Sequence, residues 1–190
     1  GDVYKRQSLI VADGAGSRVR KSYDQHEPIM PSEDILPHSY KELTIPANDN
    51  GSFKISEKAL HVWPRGEFML IALPNEDGSF TCTLFMPYDN HEYAFNDLDS
   101  DEKINVFFKT IFPDFHALMP NLIENWHQNP LSSLSIVRCY PWTMGKFALM
   151  GDSCHATVPF YGQGMNAGFE DCTVMWELYN QHQNWDETFK

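Results

Sequence analysis

The stretch from residue 147 to residue 172 constrains this chain more than any other. An apolar run over residues 147–150 stops at the pair Gly151-Asp152. A loop with Pro159 follows, and then three glycines, Gly162, Gly164 and Gly168, fall within seven residues. Beyond them Met165, Phe169, Cys172, Met175, Trp176 and Tyr179 recur at helical spacing. That spacing predicts a helix over residues 164–182 that packs through those side chains. A buried strand that delivers one carboxylate to its end, followed by a glycine-rich helix start, is a way to hold a polyhydroxylated anionic ligand. The carboxylate accepts hydrogen bonds from hydroxyls. The bare helix start offers free N–H groups and partial positive charge.

A second motif lies near the beginning. Residues 8–12 are a short apolar run, which predicts a buried strand of a parallel sheet. The run ends in Asp13-Gly14-Ala15-Gly16-Ser17-Arg18-Val19-Arg20. The stretch 149–172 resembles the second flavin-binding motif of the aromatic-ring hydroxylases, the FAD-dependent single-component monooxygenases. Residues 13–20 resemble the Asp-Gly motif of the same family, and the two motifs stand in the family's order. Between them, Leu60-His61-Val62-Trp63-Pro64-Arg65, residues 68–75 and residues 79–87 resemble the branch of that family that hydroxylates L-kynurenine. Pro159-Phe160-Tyr161-Gly162-Gln163-Gly164-Met165-Asn166 does so too. The resemblance covers residues 8–180.

From residue 38 to residue 87 the chain has the pattern of strands, over 38–45, 59–63, 68–73 and 80–86. Turn signals separate them at Asn48-Asp49-Asn50-Gly51, Arg65-Gly66 and Asn75-Glu76-Asp77-Gly78. Alternation puts Phe80, Cys82, Leu84 and Met86 on one face and Thr81, Thr83 and Phe85 on the other. Apolar residues on both faces ask for cover on both. Core on both faces, or core on one and a ligand cavity on the other, fit the pattern equally. Residues 21–37, with charges and three prolines, predict irregular chain. Ser100 is expected to cap a helix with Asp101 and Glu102 in its first turn and Ile104, Phe107, Phe108 and Ile111 along its apolar stripe. Pro113 should end that helix, and Pro120 should break a second one over 115–126. Residues 131–140 look extended, and residues 147–150 return to a buried strand.

The expected fold class is α+β with α/β character. It is a fragment of a FAD-binding Rossmann-like domain with an inserted, mostly antiparallel β-sheet substrate domain. The flavin-domain pieces are residues 8–20 and 144–190, and the inserted sheet and helices are residues 21–143. Residues 1–7 show no apolar periodicity and are expected to be non-native.

A chain of 190 residues can bury one good core or two small ones. Its net charge of −12 argues against nucleic acid and anionic membrane surfaces as partners. No apolar run approaches the roughly 18–20 residues that span a bilayer, and no signal peptide opens the chain, so the cytoplasm is the expected compartment. The four cysteines, at 82, 139, 154 and 172, form no Cys-x-x-Cys pair. Reduced thiols are therefore expected, with no metal site and no redox dithiol. Cys154 beside His155 is not taken for a nucleophile and its base, because neighbours on an extended loop point opposite ways.

The resembled family opens with a strand, Gly-x-Gly-x-x-Gly and helix that bind the ADP half of FAD. Gly14 and Gly16 do not supply that segment, because no third glycine follows at the needed spacing. The resemblance therefore implies a fragment, inactive alone. The arginine and tyrosine that clamp the substrate carboxylate would lie outside it, as would the anchor that holds eukaryotic relatives to the mitochondrial outer membrane. For the parent the resemblance implies hydroxylation of L-kynurenine to 3-hydroxykynurenine, with NADPH reducing FAD and dioxygen forming a flavin hydroperoxide.

It also implies roles for particular residues. Asp152 would accept a hydrogen bond from a ribityl hydroxyl. The backbone at Gly162, Gly164, Met165 and Asn166 would face the pyrimidine end of the flavin. Pro159 and Phe160 would form substrate wall, and Gln163 would bond substrate or flavin. Asp13 and Arg18 would serve the FAD pyrophosphate and NADPH. Phe80, Thr83, Phe85 and Met69 are substrate-cavity candidates on the sheet. No catalytic base is assigned: His155 looks structural, and the amino group of kynurenine activates its own ring. Arg65 either attracts a carboxylate or faces solvent. Two alternatives stay open. One is a hydroxylase of another aromatic acid or phenol. The other is a truncated, non-catalytic relative that binds flavin or another ligand. A hydrolase is disfavoured, because residues 151–155 do not form Gly-x-Ser-x-Gly.

Overall fold

The computed structural model of the chain describes residues 8–24 and 32–190. Residues 1–7, expected to be non-native, and residues 25–31, inside the stretch expected to be irregular, lie outside the described residues. In chain order the first elements are β1 (Leu9–Val11), α1 (Arg18–Asp24), β2 (Ser32–Ile45), β3 (His61–Arg65), β4 (Phe68–Pro74) and β5 (Phe80–Pro87). Helices α2 (Asp101–Ile111), α3 (Pro113–Leu118) and α4 (Leu122–Gln128) follow. Then come β6 (Leu131–Arg138), β7 (Thr143–Met144), β8 (Phe147–Leu149), α5 (Asp152–His155), α6 (Gly164–His182) and α7 (Trp185–Thr188). The chain divides into two compact units, Gly1–Ile35 with Ser135–Lys190, and Leu36–Leu134. The inserted unit is thus shorter at both ends than the 21–143 expected, because β2 and β6 each begin or end in the other unit. The irregular chain expected over 21–37 is instead helical through Asp24 and extended from Ser32.

In the two-piece unit, β1 and β8 pair in parallel, Leu9 with Phe147 and Val11 with Leu149, and β7 adds antiparallel to β8. Two short apolar runs far apart in sequence form this pair, since parallel neighbours need a long connection. Val11, Cys139, Phe147, Leu149 and Cys154 form a small core, with Tyr23 stacked on Phe147 at 4.3 Å. Two expectations need correction. Leu9 and Ile10 on β1 are 41% and 43% exposed, because β8 is that strand's single neighbour among the described residues. Helix α6 spans the residues expected but buries none of them. Met165, Phe169 and Trp176 are exposed. Helical spacing reports that an apolar stripe exists and says nothing of what lies across it.

In the inserted unit the strands run in the order β3-β4-β5-β2-β6. The β3–β4, β4–β5 and β5–β2 pairs are antiparallel. Leu43, Ile45, Leu70, Ala72, Phe80, Cys82, Leu84 and Met86 share one face and pack against Ile104, Phe107, Phe108, Phe112, Phe115 and Trp126 of the helical segment. Truncating one such aromatic to alanine costs roughly 3–5 kcal/mol. Ser100 caps α2 as expected, its hydroxyl accepting from the Lys103 amide at 3.4 Å. Pro113 opens α3, where a missing N–H costs nothing, and Pro120 separates α3 from α4. Trp63 donates to Asp114. Arg65 donates to the Ile111 carbonyl at 2.8 Å and lies 4.8 Å over the Phe112 ring. Arg65 therefore fastens β3 to the helices.

Candidate functional site

The parallel pairing brings the C-terminal ends of β1 and β8 together, and the Met150 amide donates to the Val11 carbonyl at 2.9 Å. The chain then turns at Gly151, with φ 58° and ψ −143°, a conformation left to glycine. That turn presents Asp152 beside the start of α6. A cavity of about 560 Å³ opens there, bounded by Ala12, Gly14, Gly151, Asp152, Gly164, Met165, Gly168, Phe169 and Cys172. A Cβ added at Gly164 would stand 3.9 Å from Asp152 Oδ1, so carboxylate and helix start face the same space. Among the described residues no hydrogen bond occupies the Asp152 carboxylate.

The helix start is equally uncommitted. Its cap residue, Gln163, makes no capping side-chain bond, and no acidic residue stands in the first turn. The backbone ladder begins with the Ala167 amide donating to the Gln163 carbonyl at 2.9 Å. The amides of Gly164, Met165 and Asn166 therefore have no acceptor within the helix. A cavity with a free carboxylate on one side and three free amides on the other suits a ligand that is both hydroxylated and electron-rich. A smaller apolar cavity of about 460 Å³ lies beside Trp142, Ala148, Val174 and Leu178. Its His155 and Asp171 side chains are already paired with each other, so it offers fewer polar groups.

Three buried or half-buried groups hold this arrangement, and the sequence reading gave none of them a role. Arg20, 1% exposed, donates to the carbonyls of Ala15 and Ser153 and so joins the two motifs. The Ser153 hydroxyl accepts from the Met150 amide at 3.1 Å and lies 2.8 Å from the Val11 carbonyl. Asp171 accepts from the Gly151 amide and from His155, both at 2.7 Å. Arg20 was legible only as the last residue of the first motif. Asp171 was legible only as an acid seven residues beyond Gly164 on a helix, which says nothing of its partners. His155 is paired with Asp171.

The remaining candidates divide. The first-motif acid Asp13 caps α1 through the amides of Arg18 at 3.0 Å and Val19 at 3.4 Å. Burial raises its pKa, but bonds from the Ser17 hydroxyl and the Val19 and Arg18 amides outweigh that and hold it below the usual value. Arg18 is exposed. Pro159 and Phe160 sit in a 3-10 turn closed by Gly162, which needs its glycine for a φ of 63°. Gln163 donates to the Tyr161 carbonyl and accepts from the Asn166 side chain at 3.0 Å, so its amide orders the turn. In the inserted unit, Met69 pairs with Phe85 and shares its face with Thr83. Phe80 does not belong with them: it is fully buried on the helix-facing side, in edge contact with Phe53 and His61. It has the parity of Cys82 and Leu84, which the alternation already required.

Cys154, His155 and Asp171 bring their donor atoms within 4.8 Å of one another. Burial pushes the Cys154 thiol up to about 12, with the Asp171 charge adding to it, so it stays protonated. Its sulfur lies 3.3 Å from the Gly151 carbonyl. A protonated thiol and an already paired carboxylate make a brace rather than a metal centre. Cys154 and His155 lie in the short helix α5 and not on an extended loop, and their donor atoms do not point opposite ways as expected but lie within 4.8 Å of each other. All four cysteines are free. Among the described residues no helix is long and apolar enough to cross a membrane.

Residues 7–186 match the model of a family described as FAD binding domain. Over 180 residues the chain is 50% identical to a kynurenine 3-monooxygenase of Flavobacterium psychrophilum, covering 94% of this chain and 40% of the relative. A kynurenine 3-monooxygenase of Dictyostelium discoideum is 51% identical over 174 residues, 91% of this chain and 37% of the relative. The chain thus spans about two fifths of the length of the curated relatives it matches. Among solved structures, a tetrameric 2-methyl-3-hydroxypyridine-5-carboxylic acid oxygenase superposes with a TM-score of 0.77 at 18% identity, over 100% of this chain and 49% of that one. Klebsiella pneumoniae HpxO, complexed with FAD and uric acid, gives 0.67 at 19% identity, over 96% and 45%. Those two likenesses show a shared fold.

Proposed function

Because the chain belongs to the FAD-binding domain family, we propose that it supplies flavin-binding surface to a monooxygenase that uses FAD and NADPH and hydroxylates L-kynurenine to 3-hydroxykynurenine. One observation carries the flavin part: the free Asp152 carboxylate and the uncapped start of α6 meet at one cavity. The relatives named kynurenine 3-monooxygenase, similar along nearly the whole chain, support the substrate.

Bound to these residues and reduced by NADPH, FAD would supply the chemistry that activates dioxygen for transfer of one of its oxygen atoms to the aromatic ring. The chain's own residues bind and orient. Asp152 accepts a hydrogen bond from a hydroxyl of the ligand's sugar-alcohol tail. The amides of Gly164, Met165 and Asn166 donate to the electron-rich edge of its ring, where a helix start contributes up to ~2 kcal/mol in a partly buried setting. Met165 and Phe169 give the cavity apolar walls. Pro159, Phe160 and Gln163 present substrate wall in the two-piece unit, and Thr83, Phe85 and Met69 do so in the inserted unit. Asp13 holds the start of α1, which leaves the exposed Arg18 guanidinium for phosphate.

Turnover belongs to the full-length protein and is measured there. NADPH oxidation that depends on L-kynurenine, with 3-hydroxykynurenine as product, is the expected result, and turnover of p-hydroxybenzoate instead would refute the substrate. Asp152→Ala should purify with little flavin. Full flavin content in that variant would refute the site.

A further inference from the structure

Asp171 lies about two turns inside α6, on the side that meets the Gly151 turn. Its Oδ2 accepts the Gly151 amide and the His155 ring nitrogen, and its side chain is 15% exposed. The Trp142 ring lies 4.9 Å from that of His155 and covers the pair. One turn earlier, a Cβ built at Gly168 would stand 3.7 Å from the Gly151 Cα. Helix backbone and turn backbone thus touch at two glycines, and Asp171 locks the contact with a charge-assisted hydrogen bond. Gly151 is the residue before Asp152. A glycine reaches this backbone conformation without strain but many others too, so the Asp171 bond to its amide is what selects it. The carboxylate that faces the cavity is therefore held to the helix whose first amides face the same cavity, and the holding group is Asp171.

We infer that Asp171 is a positioning residue for the ligand of this cavity, setting the separation between the Asp152 carboxylate and the amides of Gly164 and Met165. This rests on the flavin reading above. Asp171 touches no ligand. It acts through Gly151 on one side and through its own helix on the other.

The test uses the full-length protein, FAD as the probe, and three readouts: the FAD dissociation constant by fluorescence titration, the visible circular dichroism of the bound flavin, and the melting of the flavin-free form. Asp171→Leu strands the Gly151 amide and should weaken FAD by roughly ten- to 100-fold, with an altered dichroism spectrum of the flavin that does bind. Asp171→Asn with its amide oxygen in the place of Oδ2 keeps one acceptor for both the Gly151 amide and the His155 ring nitrogen, and should restore affinity to within about threefold of the starting protein. Should Asp171→Leu fail to fold, His155→Phe carries the test. It leaves the Gly151 bond but loosens Asp171, and should weaken FAD about threefold or more with melting unchanged. Unchanged affinity and spectrum in Asp171→Leu, or in His155→Phe, would overturn the inference. So would a loss in Asp171→Asn as deep as in Asp171→Leu. Starting protein that takes up no FAD at all would overturn the flavin reading itself, a different result from either.

Discussion

Gly164→Ala separates the seating of a ligand from the stability of the fold. Gly164 is helical, so a side chain there meets no backbone strain. An added Cβ would lie 3.9 Å from Asp152 Oδ1 and 4.0 Å from Thr157 Oγ1, both ordinary van der Waals contacts. The protein alone therefore has room for it. Alanine also restricts the unfolded chain and favours the helix, by up to ~1 kcal/mol against glycine. In a protein of this size that gain raises the melting temperature by about 2–4 °C at most. With flavin the sign reverses, because the methyl group projects into the space the ring must enter. Overfilling a packed site costs about 1–3 kcal/mol. That converts to roughly five- to 150-fold weaker binding. Thermal unfolding of the flavin-free protein and a FAD titration read the two effects separately. Gly162→Ala is the contrast: with φ at 63° it should destabilise by about 1–2 kcal/mol, though its Cβ meets nothing. A Gly164→Ala protein that gains stability and binds FAD undiminished would show that the flavin does not approach this backbone.

Arg20→Leu removes a buried guanidinium and leaves the carbonyls of Ala15 and Ser153 without their donor. Two charge-assisted bonds at about 1.5–3 kcal/mol each put the loss near 3–6 kcal/mol, and chemical denaturation measures it; a change within ~0.5 kcal/mol would refute the role given to Arg20. Lys41 is buried between the Asn129 carbonyl and the Trp126 ring, and burial lowers the pKa of its ammonium. Below its lowered pKa both states are protonated. Between that value and ~10.4 the unfolded chain holds the extra proton, so stability rises with pH across that window. Lys41→Met should abolish this rise in the difference between the two denaturation curves. Finally, Cys82 and Cys154 are buried with thiols pushed up to about 12, whereas Cys172 is exposed and lines the Asp152 cavity. Iodoacetamide should label Cys172 in the native chain and spare the other two, and FAD should slow that labelling; equal labelling of Cys154 would contradict its burial.

The elements themselves were largely legible. Ser100, Pro113 and Pro120 punctuate the helical segment where capping and the missing proline N–H require. Alternation along β5 sorted its residues onto two faces. The register then gave Phe80 the helix side and Phe85 the other, a choice that alternation fixes only once the helices are known to cover the Cys82 face. What the pattern could not give was cover. Leu9, Ile10 and the α6 stripe have the composition of buried surface and lie exposed. Apolar periodicity records which face a residue occupies, and burial depends on what another part of a protein places against it.

The site divides along the same line. The cavity shared by Asp152 and the start of α6 was legible because it depends on local order: a strand end, a carboxylate, a glycine turn and a helix start, all between residues 149 and 164. Arg20 and Asp171 were not, because each works on a partner far away in sequence. Arg20 reaches the Ser153 carbonyl, and Asp171 reaches back twenty residues to Gly151. This difference has a consequence for mutation. Removing Asp152 deletes a side chain that bonds nothing else, so it should cost affinity and leave stability within about 0.5 kcal/mol. Removing Arg20 breaks bonds that hold both motifs together, so it should cost stability first and affinity as a result. A variant series ordered by melting temperature should therefore rank Arg20 substitutions below Asp152 substitutions, while an order by FAD affinity of the folded fraction should not separate them so widely. Asp152 substitutions that lower the melting temperature as far as Arg20 substitutions would mean that Asp152, too, is a structural residue.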